Sequence, residues 1–262
     1  MLSKRIIPCV DVKDGRTVKG VHFEQLQDVG DAVALGRHYA REGADELVYL
    51  DISASQEGRQ TFTRLVERIA DGIHIPLTVG GGISSIDDAA RLLDAGADKV
   101  SINSAALREP SLIDSIAARY GSQFVVVAID ARHTPLAPGE AEEEAHWTVC
   151  THGGTRPTDR ELFSWAVEAE QRGAGEILFT SMNHDGTHAG YPCSTYRRLT
   201  SLLGIPVIAS GGAGCAAHIA DVLAEGHADA ALAAGIFHYG ELTIPQLKQE
   251  LLERGIPVRR SF

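Results

Sequence analysis

Ile75-Pro-Leu-Thr-Val-Gly-Gly-Gly82 returns in the second half of the chain as Ile205-Pro-Val-Ile-Ala-Ser-Gly-Gly212. Each copy is an apolar β-type run that ends in adjacent glycines. The echo extends outward from both. Gly96-Ala-Asp98 is matched by Gly226-His-Ala-Asp229, and Gly43-Ala-Asp-Glu46 by Gly173-Ala-Gly-Glu176. Self-similarity on this scale reads as duplication of a structural half.

Working outward, eight apolar runs appear: 5–12, 46–51, 76–79, 99–103, 124–130, 176–180, 206–210 and 228–234. They are nearly continuous and rich in Val and Ile, as parallel strands covered on both faces must be. Helical patterns lie between them at 31–42, 59–71, 85–95, 110–120, 158–172, 194–203, 216–225 and 244–254. Several stop at a glycine, among them Gly43, Gly96, Gly121, Gly173, Gly226 and Gly255, the residue that best tolerates a left-handed helix end. Unbroken alternation predicts an α/β fold, a single closed (β/α)8 (TIM) barrel built from two half-barrels, spanning 1–262 as one domain. Two connections are long: 13–30 after the first strand and 131–157 after the fifth. The second carries an acidic run at 140–144, read as a solvated face, then Trp147–Thr151, a candidate hairpin arm.

Composition narrows the function. The chain has 24 Lys and Arg against 35 Asp and Glu, a net charge of −11. No basic stripe is present, which argues against a nucleic-acid partner. An anionic substrate would have to be held by local devices. Cys9, Cys150, Cys193 and Cys215 show no metal-ligand spacing, so no metal and no cofactor are expected. They read as reduced, mostly buried thiols. With no signal peptide pattern and no apolar run of transmembrane length, the expected location is the cytoplasm, away from membranes.

Barrel active sites sit at the C-terminal ends of the strands. Asp11 ends the first run and Asp130 the fifth, so they face each other across the mouth. Such a pair can act as general acid and general base, although a lone strand-end Asp is more often a loop cap. Gly82 follows the third strand, and Asn103 and Ser104 the fourth. Ser210, Gly211 and Gly212 follow the seventh, and Ala234 and Gly235 the eighth. Small residues let main-chain N–H groups approach an anion. Two such cradles on opposite sides predict a long substrate with a phosphate at each end. Asp185 and Gly186, in the loop after the sixth strand, could meet polar substrate groups or simply make an Asp-Gly turn. His184 and His188 beside them read as surface residues. Lys19, in the first long loop, could close over an anion or be an ordinary exposed lysine. Arg5, Glu46, Lys99 and Glu176 begin strands one, two, four and six. Pointing inward they would ring the barrel bottom; as surface charges they would mean little.

At this point Arg5-Ile-Ile-Pro-Cys-Val-Asp-Val-Lys-Asp-Gly15, Val18-Lys-Gly20, Asp98-Lys-Val-Ser-Ile-Asn103, Val127-Ala-Ile-Asp130 and Ser210-Gly-Gly-Ala-Gly214 closely resemble the cyclase subunits of imidazole glycerol phosphate synthase. The resemblance runs essentially end to end. It implies an ammonia-dependent lyase and cyclase of histidine biosynthesis. The substrate would be the phosphoribulosyl-formimino form of aminoimidazole carboxamide ribonucleotide, a bisphosphate. The products would be imidazole glycerol phosphate and the aminoimidazole carboxamide ribonucleotide. It implies that Asp11 and Asp130 are the catalytic pair and Lys19 the loop lysine. Arg5, Glu46, Lys99 and Glu176 would be a gate for ammonia from a docked glutaminase subunit, with Asp98 facing that partner. The sister isomerase of the pathway is the nearest other reading, and a non-catalytic binding barrel a further one. Four places depart from the family wording. Asn183 stands for Asp, Pro192 for Asp, Gly235 for Ser, and Cys215-Ala-Ala217 for a more polar run.

Overall fold

The computed structural model describes residues 2–13, 16–21, 24–52, 56–134 and 145–260. The acidic run at 140–144 lies outside them. In chain order the elements are β1 (Arg5–Lys13), β2 (Arg16–Val21), β3 (Glu24–Gly30), α1 (Ala32–Glu42), β4 (Leu47–Asp51), α2 (Gln56–Ala70), β5 (Leu77–Gly80) and α3 (Ile86–Asp94). Then come β6 (Lys99–Ile102), α4 (Ser104–Arg108), α5 (Ser111–Tyr120), β7 (Val125–His133), β8 (Trp147–Thr151), β9 (Arg156–Glu161), α6 (Leu162–Gln171) and β10 (Glu176–Ser181). The last are α7 (Cys193–Leu202), β11 (Val207–Ser210), α8 (Ala216–Ala224), β12 (Ala230–Ala233), α9 (Gly235–His238) and α10 (Ile244–Glu253).

Eight parallel strands close on themselves in the order β1, β4, β5, β6, β7, β10, β11, β12 and back to β1. The expected barrel is therefore formed. Side-chain alternation sorts its two faces. Ile7, Cys9, Val48, Val126, Leu178, Ile208 and Leu232 fill the inside. Ile6, Val10, Leu47, Tyr49, Val127 and Phe179 face the helices. Burial on both faces is why the runs are continuous rather than alternating.

Local chemistry sets the boundaries. Asp31 caps α1 by accepting from Ala34 N–H, and Gly43 ends it at φ 92°. Thr243 and Gln246 form a reciprocal capping box on α10. The repeated Gly-Ala-Asp wording also has a structural cause. Asp98 Oδ2 accepts from Leu77 N–H at 2.8 Å, and Asp229 Oδ2 from Val207 N–H at 3.0 Å. Asp45 Oδ2 does the same for Ile6 N–H at 2.9 Å. Each carboxylate ties down the start of a neighbouring barrel strand.

Three expectations need correction. The helix placed at 158–172 begins at Leu162, because Arg156–Glu161 pairs with β8 as a strand. The short helices α4 and α9 were not anticipated; each is a single turn behind a loop, too brief to show a period. The thiols are only half as expected: Cys9 and Cys150 are buried, Cys193 is half-buried and Cys215 exposed. The two long connections are β-arms. One is the β2–β3 hairpin on β1, and the other the β8–β9 hairpin on β7.

Asp45 does more than cap β1. Its Oδ1 accepts from the buried Lys248 Nζ at 2.7 Å and from Arg259 Nε at 2.9 Å. Asp45→Ala would leave an ammonium buried without its counter-charge, a loss of about 3–5 kcal/mol. Chemical denaturation should show it, and an unchanged midpoint would mean that Lys248 discharges or finds another acceptor.

Candidate active site

The mouth of the barrel holds a cavity of about 960 Å³, the size of a large ligand site. Asp11, Gly82, Asn103, Ser104, Asp130, Asp185, Gly186, Ser210, Gly211, Gly212, Ala234 and Gly235 all line it. The backbone of Lys19 lies in β2; its side chain falls outside the described atoms. Asp11 pairs through its backbone with Leu50 on one side and Val18 of the hairpin on the other. It is buried. β1 and β7 stand four places apart around the eight-stranded ring, so Asp11 and Asp130 approach from opposite walls.

Asp130 is electrostatically unusual. Desolvation first, then the charge of Asp185, push its carboxyl up to about 7. The amide of Asn103 opposes this by donating to Oδ2 at 3.0 Å. Asn103 Oδ1 is buried and has no hydrogen-bond partner among the described residues. A buried orphan acceptor at a cavity wall needs an explanation, and a donor on a bound ligand supplies one.

The glycines explain how backbone reaches the cavity. Gly81 has φ 97° and its missing side chain would strike the carbonyl of Asp51. Gly211 has φ 80°, and a Cβ there would lie 2.6 Å from the carbonyl of Ser181. Asp51 ends β4 and Ser181 ends β10, so the same device serves equivalent places in the two halves. His218 Nδ1 accepts from Gly214 N–H at 3.2 Å, while Asp88 Oδ2 accepts from Ser84 N–H at 2.9 Å. Both hold the glycine-containing loop from the following helix.

His188 is exposed, but His184 is not the surface residue the sequence suggested. It is half-buried with Ser181 Oγ 2.7 Å from its Nδ1. Burial, then His133, lowers its imidazole below the usual histidine value. Only the turn after β10 could bring Ser181 to it. Sequence reading also missed Arg108, His152 and Tyr239, which line the cavity. His152 sits at the tip of the β8–β9 arm at φ 54°, and its N–H donates to Ser104 Oγ at 3.2 Å. Among the described residues no cluster of His, Cys, Asp and Glu could hold a metal ion.

At the other end, the four strand-start charges form a closed ring. Arg5 Nη1 donates to Glu46 Oε2 at 2.8 Å and to Glu176 Oε1 at 3.1 Å. Lys99 Nζ reaches the same two oxygens, each at 2.9 Å. Thr78 Oγ1 donates to Glu46 Oε1 at 2.6 Å. Asp98 is exposed beside a recess lined by Ile73, His74, Ile75 and Pro76.

Residues 5–243 match the model of the histidine biosynthesis protein family. The imidazole glycerol phosphate synthase subunit HisF of Phocaeicola vulgatus is 60% identical over 259 residues, covering 99% of this chain and 100% of that one. The chain belongs to the HisF family. The subunits of the same name from Bacteroides thetaiotaomicron and Anoxybacillus flavithermus are 57% and 55% identical, with the same coverage. These relatives of the HisF-family chain are named as subunits, which implies a complex with another subunit. No helix among the described residues is long and apolar enough to cross a membrane.

Three departures from the HisF wording fit their surroundings. Asn183 bonds His133 in both directions, accepting from its N–H at 3.0 Å and donating to its carbonyl at 3.2 Å. An aspartate could not make the second bond. Pro192 stands just before α7, where a missing N–H costs little. Gly235 has room for a larger residue, since a Cβ there meets nothing closer than Tyr239 at 3.8 Å. For Cys215 the structure offers no corresponding reason.

Proposed function

We propose that this chain is the cyclase of an imidazole glycerol phosphate synthase. It takes the phosphoribulosyl-formimino aminoimidazole carboxamide ribonucleotide and ammonia to imidazole glycerol phosphate and aminoimidazole carboxamide ribonucleotide. Residues 1–262 act as one barrel domain in the cytoplasm. The observation that carries this reading is the pairing of Asp11 and Asp130 on opposite walls of one cavity, between two glycine-bounded loops.

The chemistry needs a proton delivered and a proton removed as ammonia adds, the ring closes and the chain is cleaved. A carboxyl titrating near 7 still holds its proton in much of the population at neutral pH. Asp130 is therefore the general acid of this reading, and Asp11 the base. Asn103 turns its amide to Asp130 and keeps its carbonyl for a substrate donor. Gly82, Asn103 and Ser104 receive one phosphate. Ser210, Gly211, Gly212, Ala234 and Gly235 receive the other. Asp185 with Gly186 meets the middle of the substrate, and Lys19 closes over it. Ammonia enters from a glutaminase subunit docked around Asp98 through the ring of Arg5, Glu46, Lys99 and Glu176. No metal or cofactor takes part.

The direct test is a product assay of the isolated chain with this substrate and ammonium salt. Imidazole glycerol phosphate is expected; its absence would overturn the assignment. A crystal soaked in sulfate should show two anions, one at Ser104 and one at Gly235. Density at only one of the two would remove the bisphosphate argument.

A further inference from the structure

Asp11, Asp51, Asp130 and Asp185 line the cavity. On the reading above, a doubly phosphorylated anion must lie among these four acidic side chains. Arg108 is the sole arginine or lysine among the described residues of the lining. Among the described residues it has neither an ion-pair nor a hydrogen-bond partner for its side chain. A lone guanidinium facing an acidic cavity is placed to meet an anion there.

Its position has a counterpart in the other half. Asn103 before α4 has φ −130° and ψ −92°; Ala234 before α9 has φ −126° and ψ −69°. Ser104 and Gly235 open the two short helices, and Arg108 and Tyr239 each follow one turn later. Side chains spaced i, i+4 share one face, and the later one leans back over the earlier. This is visible at Tyr239, whose ring carbon Cε2 lies 3.8 Å from the Cβ position of Gly235. Both Arg108 and Tyr239 line the cavity. The two cradles are thus alike in backbone but differ at this place: a fixed cation in one, a neutral phenol in the other.

Ser104 strengthens the contrast. Its Oγ accepts from the N–H of His152 at 3.2 Å, which leaves its hydroxyl hydrogen to donate elsewhere. Gly235 has no side chain to offer. At the residue that opens the short helix the first cradle therefore has a hydroxyl where the second has glycine, and one turn later a guanidinium where the second has a phenol.

We propose that Arg108 is the electrostatic anchor for one phosphate, and that the difference between Arg108 and Tyr239 sets the direction in which the substrate lies. A molecule with a phosphate at each end could enter a two-fold-like cavity in either sense. Only one sense presents its reacting centre correctly to Asp11 and Asp130. The anchor makes the two senses unequal in energy.

This rests on the bisphosphate reading, and the test separates the two. Inorganic phosphate is titrated into the full-length chain while the backbone amide signals of Ser104 and Gly235 are followed by NMR. In the wild type Ser104 should saturate at lower phosphate than Gly235. Arg108→Gln should weaken the Ser104 response about tenfold or more, the worth of one charge-assisted contact, and leave Gly235 unchanged. Arg108→Lys should keep part of the difference. With substrate, Arg108→Gln should raise KM more than it lowers kcat. An unchanged Ser104 response in a folded Arg108→Gln protein would overturn the anchor. Wild-type protein that responds at neither amide would instead overturn the bisphosphate reading.

Discussion

Asp130→Asn is expected to cut ammonia-dependent turnover by about 10²–10⁴-fold, and Asp11→Asn by a comparable factor. An amide keeps the shape of a carboxyl but can neither give nor take the proton. Asn103 can still bond the amide oxygen, so the wall stays in place. The pH dependence carries a sign. If Asp130 must enter protonated, kcat/KM for the wild type falls as pH rises through about 7. Stability moves in the same direction. Burial raises the folded carboxyl from 3.8 to about 7, so between those values the folded chain holds a proton that the unfolded chain has lost. The wild type therefore loses stability as pH rises across that window. Asp130→Asn removes the titration. Its melting temperature should exceed that of the wild type at pH 8 and approach it near pH 4. A variant with near wild-type turnover would remove Asp130 from the chemistry. One that is destabilised at pH 8 would contradict the desolvation account.

Lys99→Ala is expected to separate the two ammonia supplies. The barrel interior is packed with Ile7, Cys9, Val48, Val126 and Leu178, so a passage needs a defined entrance at its lower end. The ring there is balanced: Glu46 and Glu176 each accept from both Arg5 and Lys99. Glu46 is only 1% exposed, so removing a cation leaves a buried carboxylate undercompensated, which is strongly destabilising locally. In the complex with a glutaminase, glutamate should then be released in excess over imidazole glycerol phosphate. Cyclisation with ammonium salt should be largely retained, because the proposed reacting pair, Asp11 and Asp130, lies at the far end of the barrel. Equimolar glutamate and product in both Lys99→Ala and Arg5→Ala would reject the gate. Loss of the ammonium reaction along with coupling would show that the ring only supports the fold.

The alternation of apolar runs with amphipathic helices was enough to read the closed barrel, because strands buried on both faces cannot hide their composition. The repeated glycine pairs marked loops that line the cavity, since only glycine fits where Gly81 and Gly211 pass under the neighbouring strand ends. Asp11 and Asp130 could be placed across the mouth from strand order alone. What the sequence could not show was anything set by contact between distant segments. Spacing alone left Arg5, Glu46, Lys99 and Glu176 as either an inward ring or surface charges, and only closure of the barrel brings them within hydrogen-bond distance. His184 read as exposed until folding half-buried it beside His133, fifty-one residues earlier in the chain. The titration of Asp130 near neutrality needs burial and Asp185 together. The contrast between Arg108 and Tyr239 exists only once both residues line one cavity. Periodicity is a local property, set by which faces of an element must leave water. Charge pairing, desolvation and pseudo-symmetry are properties of distance in space, and only the tertiary fold assigns those distances.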